Sequence, residues 1–330
     1  MTPHGYDIIG DLHGCATELE ALLEKLGYQT DTGVYRHPRR HAVFVGDLID
    51  RGGEQLRVLQ IVKAMVDAGS AHIVMGNHEF NALAYHTEWP PGSGKYLRAH
   101  DDPQNPWSAK NTKQHQAFLD QVKHDDRRRY LDWFSTLPLW LDLGDLRIVH
   151  ACWHDESIAL IEQRCGSSAP FTELRHLVSA STEDDPLYEA VETLLKGPEV
   201  SLVDHGAPVY HDKDDIPREN ARVRWWHADG RTLRDIAEMG GTFTTAAGDP
   251  YPPLPDLELP DRTASYVYTG RVPVFYGHYW RRGTPEHGHD WTDRTACVDF
   301  SAVKDGALTA YRWSGEARIR PGNYVQWRPG

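Results

Sequence analysis

Five short apolar runs in this chain each end in Asp, His or Asn. They are Tyr6-Asp7-Ile8-Ile9-Gly10-Asp11-Leu12-His13-Gly14, His41 to Arg51, Ala71 to Glu79, Leu146 to Trp153 and Pro273 to Trp280. Each run reads as a buried strand, and in open α/β sheets ligands gather at the carboxyl ends of strands. Side chains of metal-ligand type are thereby expected along one rim, where they converge on a single cage.

The runs are separated by helical patterns. Thr17 and Glu20 have capping-box spacing ahead of a stripe of Leu19, Leu22, Leu23 and Leu26, with Gly27 closing the helix. A second amphipathic run carries Leu56, Leu59, Val62, Met65 and Val66 and ends at Gly69. Together with strands at Ala42–Gly46 and Ile73–Gly76 this predicts β-α-β-α-β with parallel neighbours, bringing Asp11, Asp47 and Asn77 to one edge. The stretch from Trp89 to Trp107 reads as a surface loop, and helical pattern resumes at His115–Val122 and Tyr130–Phe134. Between residues 154 and 270 periodicity is irregular, with short helical segments at Phe171–Ser179 and Leu187–Leu195, the run Arg222-Val223-Arg224-Trp225-Trp226 and a proline-rich segment from Tyr251. We expect one domain over residues 1–330, with 154–270 inserted as a helical, aromatic-rich cap. Strands return at Thr295–Ser301 and Ala307–Trp313, joined as a hairpin across Lys304-Asp305-Gly306.

A formal net charge of -13 argues against broad nucleic-acid binding by electrostatic attraction. No apolar stretch is long enough to span a membrane and the N-terminus enters the first strand directly, so a cytoplasmic location is expected. The four cysteines lack C-x-x-C spacing and are expected to be free thiols.

Three motifs carry the chemistry. Gly10-Asp11-Leu12-His13-Gly14 sets a carboxylate and an imidazole on alternate positions at a strand end; alone, it would read as a loop turn. Gly46-Asp47-Leu48-Ile49-Asp50-Arg51-Gly52 packs two acids and an arginine into a glycine-bounded turn, and Gly76-Asn77-His78-Glu79 follows the third strand. Coincidence at consecutive strand ends is hard to reconcile with solvated caps. With His150 and Gly277-His278, this set resembles the calcineurin-like metallophosphoesterases. The Asp-Arg-Gly ending, and Leu137-Pro138-Leu139 ahead of the strand to His150, are similar to the phosphoprotein-phosphatase branch, which includes bacterial bis(5'-nucleosyl)-tetraphosphatases and RNA-repair phosphatases.

The resemblance implies an α/β fold, a two-sheet β-sandwich flanked by helices. It further implies that Asp11, His13 and Asp47 hold one metal, with Asp47 bridging to a second held by Asn77, His150 and His278. The donor set itself suits Mn²⁺ foremost, or Fe or Zn²⁺, since no thiolate is present to select a soft metal. Two such ions, about 3.5–4 Å apart, activate a bridging water for in-line displacement at phosphorus. By the same resemblance, Arg51 clamps phosphoryl oxygens, and His78 protonates the leaving oxygen with Asp50 orienting it. Cys152 and Tyr279-Trp280 depart from the family pattern on the substrate side. Asp299 reads either as an outer partner of a metal-bound histidine or as a solvated strand-end acid. Arg224 reads as a second phosphate clamp or as part of a basic strand edge with Arg222. Trp107, Trp153, Trp225, Trp226 and Trp280 are candidates for stacking a nucleobase, or packing residues.

The expected function is thus a two-metal phosphoesterase working through a metal-bridging hydroxide. Its expected substrate is a phosphorylated small molecule, a nucleotide or dinucleoside polyphosphate above all, with an RNA end also open. A Ser/Thr phosphoprotein phosphatase is the competing enzyme reading and a metal-stabilised scaffold the non-enzyme one. His78, Asp50 and Arg51, none of them needed to hold metal, speak against the scaffold.

Overall fold

The computed structural model describes residues 4–212, 216–228, 230–241, 243–259, 266–304 and 306–329. Asp305, in the expected hairpin turn, lies outside the described residues. The chain divides into two compact units, 1–196 with 271–330, and 197–270.

The first unit opens with β1 (Gly5–Ile9), α1 (Ala16–Leu26), a hairpin of β2 (Gln29–Asp31) and β3 (Val34–Arg36), β4 (Arg40–Phe44), α2 (Gln55–Asp67), β5 (Ala71–Ile73) and α3 (Asn77–His86). Helices α4 (Ser108–Gln121) and α5 (His124–Phe134) follow, then β6 (Trp140–Asp142), β7 (Arg147–Val149), α6 (Asp155–Cys165), α7 (Leu174–Ala180) and α8 (Pro186–Lys196). The second unit holds β8 (Glu199–Ser201), β9 (Tyr210–His211), β10 (Pro217–Arg218), β11 (Asn220–Val223), α9 (Leu233–Ile236) and β12 (Ala237–Glu238). The chain then returns to the first unit with β13 (Val274–Tyr276), β14 (Thr295–Cys297), β15 (Asp299–Phe300), β16 (Ala307–Trp313) and β17 (Tyr324–Trp327).

One sheet runs β15-β16-β1-β4-β5, with β17 on the other edge of β16. Strands β1, β4 and β5 are parallel neighbours, as the β-α-β-α-β pattern predicts. The second sheet runs β14-β13-β7-β6, parallel except for β6 against β7. Ile8, Val43, Val45 and Val74 of the first sheet share one buried cluster with Leu146, Ile148, Phe275 and Ala296 of the second, which is the core of a two-layer sandwich. The expected α/β architecture, two packed sheets with flanking helices, is therefore present. Asp7, fully buried, accepts from Arg40 Nε at 3.0 Å, Arg312 Nε at 3.1 Å and Tyr28 OH at 3.1 Å, tying β1 to β4 and β16. A carboxylate in that position is tolerable only because its oxygens are satisfied.

The structure differs from local expectation in two places. Thr17 lies inside α1, which starts after Cys15, and its backbone N–H and hydroxyl both donate to Glu54, so the capping box with Glu20 does not form. The leucine stripe is buried nonetheless, and Gly27 ends the helix at φ 92°. The strand expected over Thr295–Ser301 is two strands: β14 pairs with β13 and β15 pairs with β16, the chain changing sheets at Val298. Helices α6, α7 and α8 belong to the first unit, and the unit 197–270 contains the antiparallel sheet β12-β11-β8. Its core gathers Val200, Leu202, Ala221, Val223, Leu233 and Ile236.

Candidate metal centre

The turns after β1, β4, β5, β7 and β13 bring together the six side chains expected to converge. Asp47 is the hub. Its Oδ1 lies 3.5 Å from His150 Nε2 and its Oδ2 lies 3.6 Å from His13 Nε2. Asn77 Oδ1 lies 3.1 Å from His150 Nε2 and 2.9 Å from His278 Nδ1. Asp11 receives the backbone N–H of His278 on both oxygens, at 3.3 and 3.2 Å. The approach requires glycine beside it, because a Cβ on Gly277 would collide with Asp11 Oδ1.

The backbone of these turns is held by buried donors and acceptors. Glu79, fully buried in the first turn of α3, accepts N–H groups from Asp47 at 2.9 Å, Leu48 at 2.8 Å and Gly76 at 2.9 Å. Asp47 Oδ1 in turn accepts the His78 N–H at 2.9 Å, placing a carboxylate at the positive end of a helix. His13, Asp47, Asp50, Arg51, His278 and Trp280 all have positive φ, between 43° and 73°. Strain of this kind persists where surrounding structure over-determines it and concentrates at functional sites.

Among the described residues two donor clusters suit cations: His13 with Asp47 and His78, and Asp47 with His150 and His278. They share Asp47, and together they fit a dinuclear divalent-metal centre. Several features show that the cage is complementary to positive charge. His13 Nδ1 donates to the Ile49 carbonyl at 2.8 Å and His150 Nδ1 to the Val45 carbonyl at 2.7 Å, so each Nε2 points inward. His13 Nε2 is buried with no hydrogen-bond partner. Burial pushes the Asp11 carboxyl well above its ordinary range, and Asp299 and Asp47 push the same way. Burial lowers His13 to about 3, with His78 adding to the effect. His150 behaves oppositely: burial opposes its charge, yet Asp47 and Asp11 raise it to about 10.

Beside the cage, His78 Nδ1 meets Asp50 Oδ2 at 2.5 Å, leaving Nε2 at 3.8 Å from Asp47 Oδ2 and 3.4 Å from an Arg51 nitrogen. Burial alone would raise Asp50; hydrogen bonds from His115 and His78 outweigh it and hold the carboxyl well below its usual range. Arg51 is exposed and lies over the Trp280 ring, 4.0 Å from its centroid. Lys304 Nζ is 4.5 Å from the same centroid, and the His13 ring stacks on Trp280 at 5.4 Å. Trp280 is therefore a seat for cations at the mouth of the cage.

Asp299 is buried; its oxygens accept the N–H groups of Trp280 at 2.7 Å and Ser301 at 3.0 Å, so it is not a solvated strand-end acid but an anchor for the turn after His278. Arg224, in the second unit, pairs with Glu238 at 3.0 Å. Trp153, Trp225 and Trp226 are buried packing residues, and Trp107 is exposed. All four cysteines are free. The sequence reading missed the roles of Glu79, Gln55 and His115. Gln55 accepts the Asp50 N–H at 2.7 Å and donates to the Gly52 carbonyl at 2.9 Å. His115 Nδ1 lies 2.8 Å from Asp50 Oδ1, and its signal in the sequence is a polar residue on the apolar stripe that continues through Phe118 and Val122.

A two-sheet sandwich whose strand ends converge on a shared carboxylate defines the metallophosphoesterase class. The calcineurin-like phosphoesterase family model matches residues 6–278, and the chain belongs to that family. It is similar to the asymmetrical bis(5'-nucleosyl)-tetraphosphatase PrpE of Geobacillus thermodenitrificans, 35% identical over 161 residues, which cover 48% of this chain and 61% of the relative. The protein of the same description from Oceanobacillus iheyensis is 32% identical over 146 residues, 44% of this chain and 54% of the relative. The chain thus spans between half and two thirds of the length of these relatives. Among solved structures, a protein serine/threonine phosphatase from Saccharomyces cerevisiae superposes with a TM-score of 0.51 at 15% identity, covering 99% of this chain and 80% of that one; the likeness is one of fold. Among the described residues no helix is long and apolar enough to cross a membrane.

Proposed function

We propose that this chain hydrolyses phosphate esters or anhydrides with two divalent cations, Mn²⁺ foremost, and that its substrate is a nucleotide or dinucleoside polyphosphate. The observation that carries this reading is the pair of His/Asp clusters sharing Asp47, with the His78–Asp50 pair 2.5 Å long set against them. In this reading Asp11, His13 and Asp47 hold one cation and Asp47, Asn77, His150 and His278 the other. The bound cations would lower the pKa of water and neutralise charge building on the phosphoryl oxygens. Arg51, seated on Trp280, binds those oxygens through its planar fork. Asp50 orients His78 so that Nε2 gives its proton to the departing oxygen. The nucleotide preference is supported by the likeness to the PrpE bis(5'-nucleosyl)-tetraphosphatases, and Arg224 is part of the proposal as a substrate contact. A cytoplasmic location is part of the same proposal.

The grouping of His78 with His13 and Asp47 favours a second reading, in which His78 is itself a ligand. Two measurements on His78→Ala separate them. If His78 is an acid, both ions stay bound, and turnover falls roughly 10²–10⁴-fold on an alkyl phosphate but much less on p-nitrophenyl phosphate, whose leaving group departs unaided. Loss of one ion per chain makes His78 a ligand. A phosphate-release panel in Mn²⁺, comparing diadenosine tetraphosphate, nucleotides, terminal RNA phosphates and phosphopeptides, tests the substrate class; preference for phosphopeptides would overturn it.

A further inference from the structure

We propose that His115 is a positioning residue for proton transfer: from α4 it locks the Asp50 carboxylate in the plane from which Asp50 aligns His78. The inference rests on the reading of His78 as a general acid. Asp50 is almost completely buried, and each of its oxygens takes one imidazole, His78 Nδ1 at Oδ2 and His115 Nδ1 at Oδ1, at 2.5 and 2.8 Å. The Asp50 backbone is already pinned, since its N–H donates to Gln55 Oε1 at 2.7 Å and its carbonyl accepts from Gln55 Nε2 at 3.1 Å. What the backbone leaves undetermined is rotation of the carboxylate about its last torsion, which is broad and roughly two-fold in aspartate. A single partner on one oxygen permits that swing. A second donor on the other oxygen removes it.

Packing alone does not account for a histidine at 115. The ring is buried, stacks on Phe118 at 4.8 Å and sits 5.0 Å from the Tyr85 ring and 5.5 Å from the His86 ring, a space a leucine or phenylalanine would also fill. Its Nε2 is buried and has no hydrogen-bond partner. An orphaned polar atom is a cost that folding alone would avoid, so it is compensated by what Nδ1 does. With Nε2 unpartnered and Nδ1 facing a carboxylate, the imidazole is set as the Nδ1–H tautomer and donates to Asp50. The same helix reaches the other side of His78, where Gln114 Nε2 lies 3.5 Å from His78 Nε2 and Gln114 Oε1 accepts from Arg98 at 3.0 Å. Among the described residues the hydrogen-bond partner of His115 is Asp50 and none of the six cage side chains, so its action passes through Asp50.

The test compares His115→Leu, which keeps the volume, with His115→Asn, whose amide N–H reaches the position of Nδ1, in the Mn²⁺-loaded full chain. His115→Leu should lower kcat on an alkyl phosphate roughly tenfold or more, and lower it less on p-nitrophenyl phosphate, with KM and bound metal unchanged; His115→Asn should recover most of the loss. His78→Ala is run alongside. If His78→Ala shows the leaving-group split and His115→Leu does not, the role of His115 is overturned while the function stands. If His78→Ala shows no split, the acid reading fails and with it this proposal. A measurement independent of activity and of the variants' folding is the imidazole nitrogen spectrum of the wild-type protein: finding His115 protonated on Nε2 rather than Nδ1 overturns the proposal directly.

Discussion

Replacing Glu79 by alanine tests whether the turn carrying Asp47 is held by a single side chain. The Glu79 carboxylate accepts three backbone N–H groups, at 2.9, 2.8 and 2.9 Å, from Asp47, Leu48 and Gly76. Removing it leaves three buried donors without this acceptor, each costing about 1–3 kcal/mol. Water entering the vacated space recovers part of the loss, so the expected destabilisation is about 3–5 kcal/mol, at the upper end for single substitutions. Glu79→Gln keeps an oxygen for some of the donors but turns an NH₂ toward another, and should cost about half as much. Urea unfolding in chelator reads both values, with an unchanged slope confirming that the unfolded state is not the source. Because Asp47 φ is 52°, a turn released from Glu79 should also relax away from the cage, and the stabilisation gained on adding Mn²⁺ should shrink in the variant. A loss under about 1 kcal/mol, with the metal increment intact, would refute the argument and assign the turn to its neighbours.

Other expectations concern charge. Chelation should abolish turnover, and metal analysis of the active protein should find two ions per chain; Asp47→Asn should cost more activity than His13→Ala because Asp47 alone faces both clusters. Trp280→Leu unseats Arg51, 4.0 Å above the ring, and should raise KM for phosphate esters several-fold, at about the scale of an exposed cation–π contact, with metal content unchanged in the same assay. Burial lowers His86 from 6.5 to about 3, with His115 adding to the effect. An imidazole whose folded pKa is depressed takes up its proton first in the unfolded chain, so it costs stability as pH falls from 6.5 toward 3. Urea midpoints of His86→Gln against wild type should therefore converge or cross as pH drops through that window, and a constant offset would show that His86 does not titrate there.

The six convergent side chains and the parallel β1, β4 and β5 were legible because their signals are local: an apolar run sets the strand and the next few residues set the ligand. What escaped the sequence depends on distant partners. Thr17 has capping spacing with Glu20, but Glu54 arrives in space and takes its hydrogen bonds. Residues 295–301 have an unbroken strand pattern, and only the placement of two sheets reveals the crossing at Val298. Trp225 and Trp226 resemble a stacking platform in sequence, yet both are buried. His115 stands on a helix outside every motif, and its link to Asp50 spans 65 positions.

The left-handed conformations at Asp47, Asp50, Arg51 and His278 also bear on how such a protein drifts. Each non-glycine residue in that region costs on the order of 1–3 kcal/mol, and glycine adopts the same backbone without that penalty. At Asp47 and Asp50 the penalty is offset, because their carboxylates accept from buried groups that glycine would leave unpaired. Arg51 is exposed, so there selection for thermal endurance alone favours erasing the side chain and selection for turnover opposes it. Glycine at the position of Arg51 in a relative would thus mark abandoned chemistry in an intact fold.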